Sequence, residues 1–205
     1  MGYYTRILGV NENKISISQI EEELRRVGLN ARFESNHGNT QDNWSRISVY
    51  NSSNELIMGI ERNPILEGNI GKEELDEFRD EVVQDKPESA AKWLYQYFEK
   101  VKVIIAFKLK HDVSEGENNE IVDFIKSFIW EQVGGVLQSD EEGFTNEDGS
   151  HILWQFNYKA QGEWKMAVLN SEGEWIKFIM NMDDESQYKA FLEGHVPDNA
   201  AVIKN

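Results

Sequence analysis

The amino-acid sequence predicts an α+β protein in which mainly antiparallel sheets pack against helices. Segments whose apolar residues recur every three or four positions alternate with short β-like runs. Several of these runs are separated by the short polar connections that are typical of hairpins. The two parts of the chain also resemble each other, which predicts a duplicated βαβββα-type unit.

The N-terminal part begins with a strand over residues 3–10. A helix then starts at Ser16 or Ser18 and stops at Gly28, with a stripe of apolar residues at helical spacing. That stripe consists of Ile17, Ile20, Leu24 and Val27. The remaining predictions are a strand at residues 31–34, a polar loop at 35–43, hairpin strands at 44–50 and 55–61, a helix near residues 72–82 that Pro87 ends, and a helix at 88–100.

The C-terminal part begins with the most strand-like stretch of the chain, residues 101–109. Five consecutive apolar residues there predict a strand that is covered on both faces. The elements that follow are a helix at residues 120–133, a strand at 136–139, an acidic loop at 140–149, strands at 151–158, 163–169 and 174–181, and a helix at 184–192 that Asp183 or Asp184 caps.

An internal similarity supports the duplication. When Asn51 is aligned with Asn170, an offset of 119 positions, Glu55 falls on Glu174, and both hairpins use a four-residue connection. Shared hairpin chemistry is an alternative source of part of this match. We therefore expect an N-terminal βαβββα half at residues 1–100 and a related half at 101–205, packed intimately because no flexible linker separates them.

Composition excludes several classes of function. The chain has 205 residues, with 37 acidic and 21 basic side chains, a net charge of −16, and no cysteine. Cysteine nucleophiles, disulfides and cysteine-based metal sites are thereby excluded. The acidic surface argues against binding to nucleic acid or to anionic membranes, and favours a basic protein as partner. No secretory signal or membrane-length apolar run is present, so we expect a cytoplasmic protein.

No motif for catalysis or cofactor binding is found. The chain lacks the HExxH, G-x-S-x-G, G-x-G-x-x-G and Walker A patterns, and its histidines are isolated in the sequence at His37, His111, His151 and His195. We therefore predict no catalytic residue and no cofactor. This favours a non-enzymatic protein, although an enzyme without these motifs stays open.

The acidic loop at residues 140–149 contains the candidate metal ligands. Asp140, Glu142, Asn146 and Asp148 offer the hard oxygen atoms that Ca²⁺ and Mg²⁺ prefer, but their spacing departs from the EF-hand pattern. The alternative is an acidic turn that only reverses the chain, and the sequence favours it.

The candidate binding residues are Trp154, Trp164 and Trp175, which fall on three consecutive predicted strands. They predict an aromatic platform that, with Glu141 and Glu142, lines a ligand cleft. The alternative, which the sequence favours, is a sheet face covered by the helices that contain Trp93 and Trp130. Alternation along the first of these strands places four apolar residues on one face, namely Ile152, Trp154, Phe156 and Tyr158.

Three stretches are similar to a group of uncharacterised soluble bacterial proteins of cyanobacterial type. These stretches are Trp93–Phe98 leading into Val103–Phe107, Gly134–Phe144, and Ile152–Phe156. The resemblance implies a bacterial cytosolic protein and transfers no functional residue.

Three functions are compatible with the sequence. The first is a non-enzymatic acidic binding protein, an inhibitor or an immunity-like protein that binds a basic partner. The second is a carboxylate-using enzyme or small-molecule binder with a cleft near residues 140–149. The third is a structural or assembly protein that pairs through exposed strand edges. The sequence does not determine the oligomeric state.

Overall fold

The computed structural model describes residues 3–35, 44–110, 116–155 and 160–204. The chain divides into two compact units. Unit 1 consists of Met1–Lys72 and Val101–Gly135, and unit 2 consists of Glu73–Lys100 and Val136–Asn205. This division differs from the expected one at residue 100, because the strand that follows residue 100 pairs with N-terminal strands.

Helices and strands in the described residues confirm the α+β class. The helices are α1 (Ile17–Arg26), α2 (Ile70–Val82), α3 (Glu88–Tyr97), α4 (Glu117–Val133) and α5 (Glu185–Leu192), and a 3₁₀ turn at Phe98–Lys100 follows α3. The strands are β1 (Tyr4–Gly9), β2 (Arg32–Ser35), β3 (Arg46–Tyr50), β4 (Leu56–Pro64), β5 (Val103–Leu109), β6 (Val136–Ser139), β7 (Gly143–Thr145), β8 (His151–Trp154), β9 (Glu163–Leu169), β10 (Trp175–Asn181) and β11 (Ala201–Val202).

Unit 1 contains strands in the order β1-β5-β4-β3-β2, and each neighbouring pair is antiparallel. Helices α1 and α4 contact each other, and α4 also contacts β1 and β4. Every residue of Val103–Phe107 in β5 is buried. Because successive side chains of a strand point to opposite faces, both faces of β5 are covered, as the sequence predicts.

Helix α1 begins where the sequence predicts, after Ser16. The Ser16 hydroxyl accepts a hydrogen bond from Gln19 N at 3.1 Å, and Gln19 Oε1 accepts one from Ser16 N at 2.8 Å, which forms a capping box. The prediction that Val27 belongs to the buried stripe is wrong, since its side chain is 55% exposed. Val27 follows the last helical residue, so it no longer lies on the buried face of the helix.

The β3–β4 and β9–β10 hairpins have the same turn. Asn51 N donates to Glu55 O at 3.0 Å, and Asn51 Oδ1 accepts from Glu55 N at 2.9 Å. Asn170 and Glu174 make the equivalent pair of bonds, both at 2.9 Å. The other neighbours of the hairpins differ, because β4 also pairs with β5 whereas β10 also pairs with β11. The duplicated unit as a whole stays a prediction.

Unit 2 contains strands in the order β6-β7-β8-β9-β10-β11. Neighbours in this order are antiparallel, except that β8 and β9 are parallel. Helix α5 contacts β10, and α3 contacts β8 and β9. The core beneath α5 is rich in methionine and phenylalanine, including Met166, Phe178, Met180 and Phe191.

Strand β7 lies inside the segment 140–149, where the sequence predicts only a loop. Phe144 in this strand is 1% exposed, and its ring centroid lies 5.8 Å from those of both Phe78 and Phe98. The prediction was wrong because the segment is dominated by polar residues, whereas one buried aromatic side chain holds it in the sheet. Strand β11 was also missed, since it is only two exposed residues long.

Candidate functional site

The tryptophans predicted to form a platform do not share one face of the sheet. In the β9–β10 register, Trp164 pairs with Met180 and Trp175 pairs with Leu169. Residues 164 and 169 of β9 point to opposite faces, because side chains alternate along a strand. Trp175 therefore lies on the face opposite Trp164, where it packs edge-on against Trp93 of α3 at a centroid distance of 5.1 Å.

The other two tryptophans pack within unit 2. Trp154 lies against α5, with ring centroids 4.6 Å from Tyr188 and 6.2 Å from Phe191. Trp164 lies 6.1 Å from the ring of His151 in an edge-on arrangement. These contacts account for both rings as parts of the packed structure. Phe156 and Tyr158, which the sequence places on the same face as Trp154, lie outside the described residues.

The candidate carboxylates at residues 140–142 belong to the turn between β6 and β7. Glu141 is exposed and has a positive φ of 65°, a conformation suited to a turn. Glu142 N donates to Ser139 O at 3.2 Å, and Glu142 O accepts from Gln155 N at 3.0 Å. The backbone of Glu142 therefore closes this turn, and Asp140 lies at its start.

The other candidate metal ligands lie in a second turn, between β7 and β8. Asn146 Oδ1 accepts hydrogen bonds from Asp148 N at 3.1 Å and Ser150 N at 2.9 Å, so this amide organises the turn. Asp148 forms an ion pair with Lys177 at 3.4 Å. In the ranges that the structure describes, no group of three or more His, Asp or Glu side chains is arranged to hold a metal ion.

His151 is a core residue of unit 2. Its burial lowers the pKa of the imidazole to about 4, while hydrogen bonds with the backbone of Glu142 and Leu153 act in the opposite direction. Burial dominates because the charged imidazolium loses its hydration. His151 is therefore neutral near pH 7. His37 and His111 lie outside the described residues.

A pocket of about 650 Å³ lies where the chain passes from α2 to α3. The described apolar residues that line it are Val83, Ala91 and Tyr95. Val83 and Tyr95 are 62% and 42% exposed, whereas Ala91 is buried. Pockets that combine apolar walls with a few polar groups are the usual sites of ligand recognition. This pocket is the candidate functional site.

Asp85 is the distinctive polar group of the pocket. Its Oδ2 accepts a hydrogen bond from Gln155 Nε2 at 2.6 Å. Burial raises the pKa of the Asp85 carboxyl, the hydrogen bond from Gln155 lowers it, and the nearby charge of Glu81 raises it further. The charged carboxylate of Asp85 therefore lowers the stability of the folded state, because burial removes part of its hydration.

The cations beside the pocket are mostly engaged elsewhere. Lys92 forms an ion pair with Glu88 at 2.6 Å. The Arg79 guanidinium lies over the Tyr95 ring at 5.0 Å and pairs with Glu99 at 3.5 Å. The remaining lining cation, Lys86, is exposed.

An acidic helix face adjoins the pocket. Four residues of α2 at helical spacing are exposed and form no ion pair with any other described residue. They are Glu73, Glu77, Asp80 and Glu81. Val83 and Asp85 of the pocket follow Glu81 by two and four residues, and Arg79 of α2 lies over the Tyr95 ring at 5.0 Å, so the C-terminal end of this face lies next to the pocket. We define the α2–α3 surface as these four carboxylates together with Val83 and Tyr95.

Sequence reasoning missed this site. Asp85 and Gln155 are 70 positions apart and belong to no motif. Two features of the sequence lie near the site: the acidic residues at helical spacing on α2 and Pro87 after them. They indicate a helix and its end, but they do not indicate a pocket.

No segment of the described residues forms a helix that is both long and apolar enough to span a membrane. No family model, curated protein or solved structure matches the chain.

Proposed function

We propose that this chain is a non-enzymatic acidic binding protein whose α2–α3 surface binds a basic protein partner. One observation carries the proposal: four exposed carboxylates that form no ion pair with other described residues adjoin two exposed apolar side chains, Val83 and Tyr95. The segment from Glu73 to Gln96 contains eight acidic residues against three basic ones.

Both parts of this surface have a physical role in association. Carboxylates along one helix face attract a cationic surface, raise its association rate and orient it. Exposed apolar and aromatic side chains supply the contact that loses water when a complex forms, which is where most binding energy arises. Charge complementarity therefore selects the partner, and the burial of Val83 and Tyr95 in the interface stabilises the complex.

The finer parts of the proposal concern biological setting and origin. We propose a bacterial cytosolic protein of the inhibitor or immunity-like kind, since an acidic surface of this type is complementary to a basic enzyme. We also propose that the chain arose by duplication of a βαβββα-type unit. The equivalent turns at Asn51 and Asn170 support the duplication.

The test compares two variants that lose the same charge. In the first, the α2 carboxylates are neutralised by Glu73→Gln, Glu77→Gln, Asp80→Asn and Glu81→Gln. The matched control neutralises four exposed carboxylates of α4 in unit 1, by Glu117→Gln, Glu120→Gln, Asp123→Asn and Glu131→Gln.

Each chain is immobilised and exposed to native bacterial lysate at ~0.15 M and ~0.5 M salt, because salt screens exposed charges. We expect the wild type and the α4 variant to retain the same basic protein at low salt, and the α2 variant to lose it. Retention by the α2 variant, or equal loss from both variants, would contradict the proposal.

A carboxylate-using enzyme or small-molecule binder is the second candidate. The half-buried Asp85 in a pocket of about 650 Å³ favours it, because functional carboxylates often have raised pKa values. A metabolite that raises the melting temperature of the wild type but not of Asp85→Asn would favour this function over the first.

A further inference from the structure

The carboxylate of Asp85 lacks a cationic partner within the described part of the chain. Gln155 supplies a neutral hydrogen bond to one oxygen. Asp85 forms no ion pair with any other described residue, and the nearby charge of Glu81 raises the pKa of its carboxyl further. A half-buried carboxylate in this setting is stabilised by an incoming cation, which replaces lost hydration with a charge-assisted hydrogen bond.

The walls of the pocket suit the side chain that would bring such a cation. Val83 and Ala91 offer apolar surface, and Tyr95 adds an aromatic ring. Arginine combines an apolar stem, which packs on such surface, with a planar guanidinium that binds carboxylates and stacks on aromatic rings. The ring of Tyr95 already takes part in one guanidinium contact, with Arg79 at 5.0 Å.

The two lysines that line the pocket repel an incoming guanidinium only weakly. The charge of Lys92 is balanced by Glu88 at 2.6 Å. Lys86 is exposed to solvent, where its charge is screened. The acidic face of α2 adds negative charge next to the pocket, so a cation approaching Asp85 is attracted overall.

We infer that the pocket between α2 and α3 receives an arginine side chain of the basic partner, with the guanidinium against the carboxylate of Asp85. This inference rests on the proposed function and adds the residue that the partner inserts. The acidic face of α2 attracts the partner, and Asp85 selects one side chain of it. A lysine fits less well, because its ammonium does not bind a carboxylate through two parallel hydrogen bonds.

The test uses two small probes on the full chain. N-acetylarginine methylamide carries the guanidinium, and N-acetylcitrulline methylamide has nearly the same shape without the charge. Binding is followed by ¹H–¹⁵N NMR, in which the side-chain amide of Gln155 reports directly on Asp85. We expect the arginine probe to shift this signal and the backbone amides of residues 83–86, and to bind at least about tenfold more tightly than the citrulline probe.

The matched variants are Asp85→Asn and Asp123→Asn, each of which removes one carboxylate by a nearly isosteric change. We expect Asp85→Asn to weaken the arginine probe about tenfold, to the level of the citrulline probe. Asp123→Asn, an exposed position on α4 that does not line the pocket, should change that affinity by less than about twofold. The comparison of the two probes on wild-type protein does not depend on how either variant folds.

Several outcomes would overturn the inference. They are equal affinity of the two probes for the wild type, unchanged arginine affinity in Asp85→Asn, or tighter binding of N-acetylglutamate methylamide through Lys86. The proposed function has a separate outcome. A captured partner that requires the α2 carboxylates but tolerates Asp85→Asn would overturn the arginine inference alone, whereas probe binding at Asp85 without any captured partner would support the pocket and count against the basic protein.

Discussion

Unit 1 and unit 2 bury different kinds of side chain. In the described residues, the core of unit 1 is mainly isoleucine and valine, and its buried polar residues are Thr5 and Ser16. Unit 2 buries more aromatic and methionine side chains, along with several polar residues. Those polar residues are Gln138, Asn146, Ser150, His151 and Gln187.

The hydrogen bonding of these polar groups differs as well. In unit 1, the hydroxyl of Ser16 accepts a hydrogen bond from Gln19 N and donates one to Gln19 Oε1, both at 3.1 Å. In unit 2, Ser89 Oγ, Asn146 Nδ2 and Ser150 Oγ are buried without a hydrogen bond to any other described residue. A buried polar atom without a partner costs stability. These unpaired atoms therefore lower the stability of unit 2, and the described residues of unit 1 contain no equivalent group. Unit 2 also contains the pocket with Asp85.

The largest expected effect tests the aromatic core of unit 2. Phe144→Ala removes a buried ring that contacts Phe78 and Phe98, and should lower the free energy of unfolding by about 3–5 kcal/mol. Phe107→Ala, at a fully buried position in unit 1, is the matched change and has a similar expected cost. Urea unfolding measures both values. A cost below about 1 kcal/mol for Phe144→Ala would show that β7 is not held by this ring.

The next effect concerns acid stability and His151. Its folded pKa, about 4, lies below the unfolded value near 6.5, so the folded state binds fewer protons between these values. Stability is therefore lost as the pH falls from about 6.5 to about 4, by up to about 3 kcal/mol from this group. Urea titrations across this window should show a smaller loss in His151→Gln than in the wild type. The control is His195→Gln at an exposed position, and equal pH dependence in all three proteins would contradict the expectation.

The smallest effect is a direct comparison of two serines. Ser16→Ala removes the cap of α1 and should cost about 1 kcal/mol. Ser150→Ala removes a buried hydroxyl that has no hydrogen bond to the described residues, and should change stability by less than about 0.5 kcal/mol or increase it. Both free energies of unfolding come from the same urea experiment. If Ser150→Ala lowered the free energy of unfolding more than Ser16→Ala, the proposed difference between the two units would be wrong.

Much of the local structure was predictable. Ser16 as the cap of α1, the shared turns at Asn51 and Asn170, and the bounds of β9 all follow from short-range patterns. The candidate ligand sites were harder to predict from the sequence. The tryptophans were placed on the right strands, but the faces that they occupy depend on the strand register and on the helices that cover each face.

The sequence by itself determined the α+β class, most helices and strands, and the strongly acidic character of the chain. These properties are local or additive, since apolar spacing, caps and turn residues act within a few positions and charges simply sum. Only the tertiary structure decided the strand order, the division into two units, and the meeting of Asp85 with Gln155 across 70 positions of chain. Such contacts depend on how distant segments pack, and no short pattern in the chain encodes that packing.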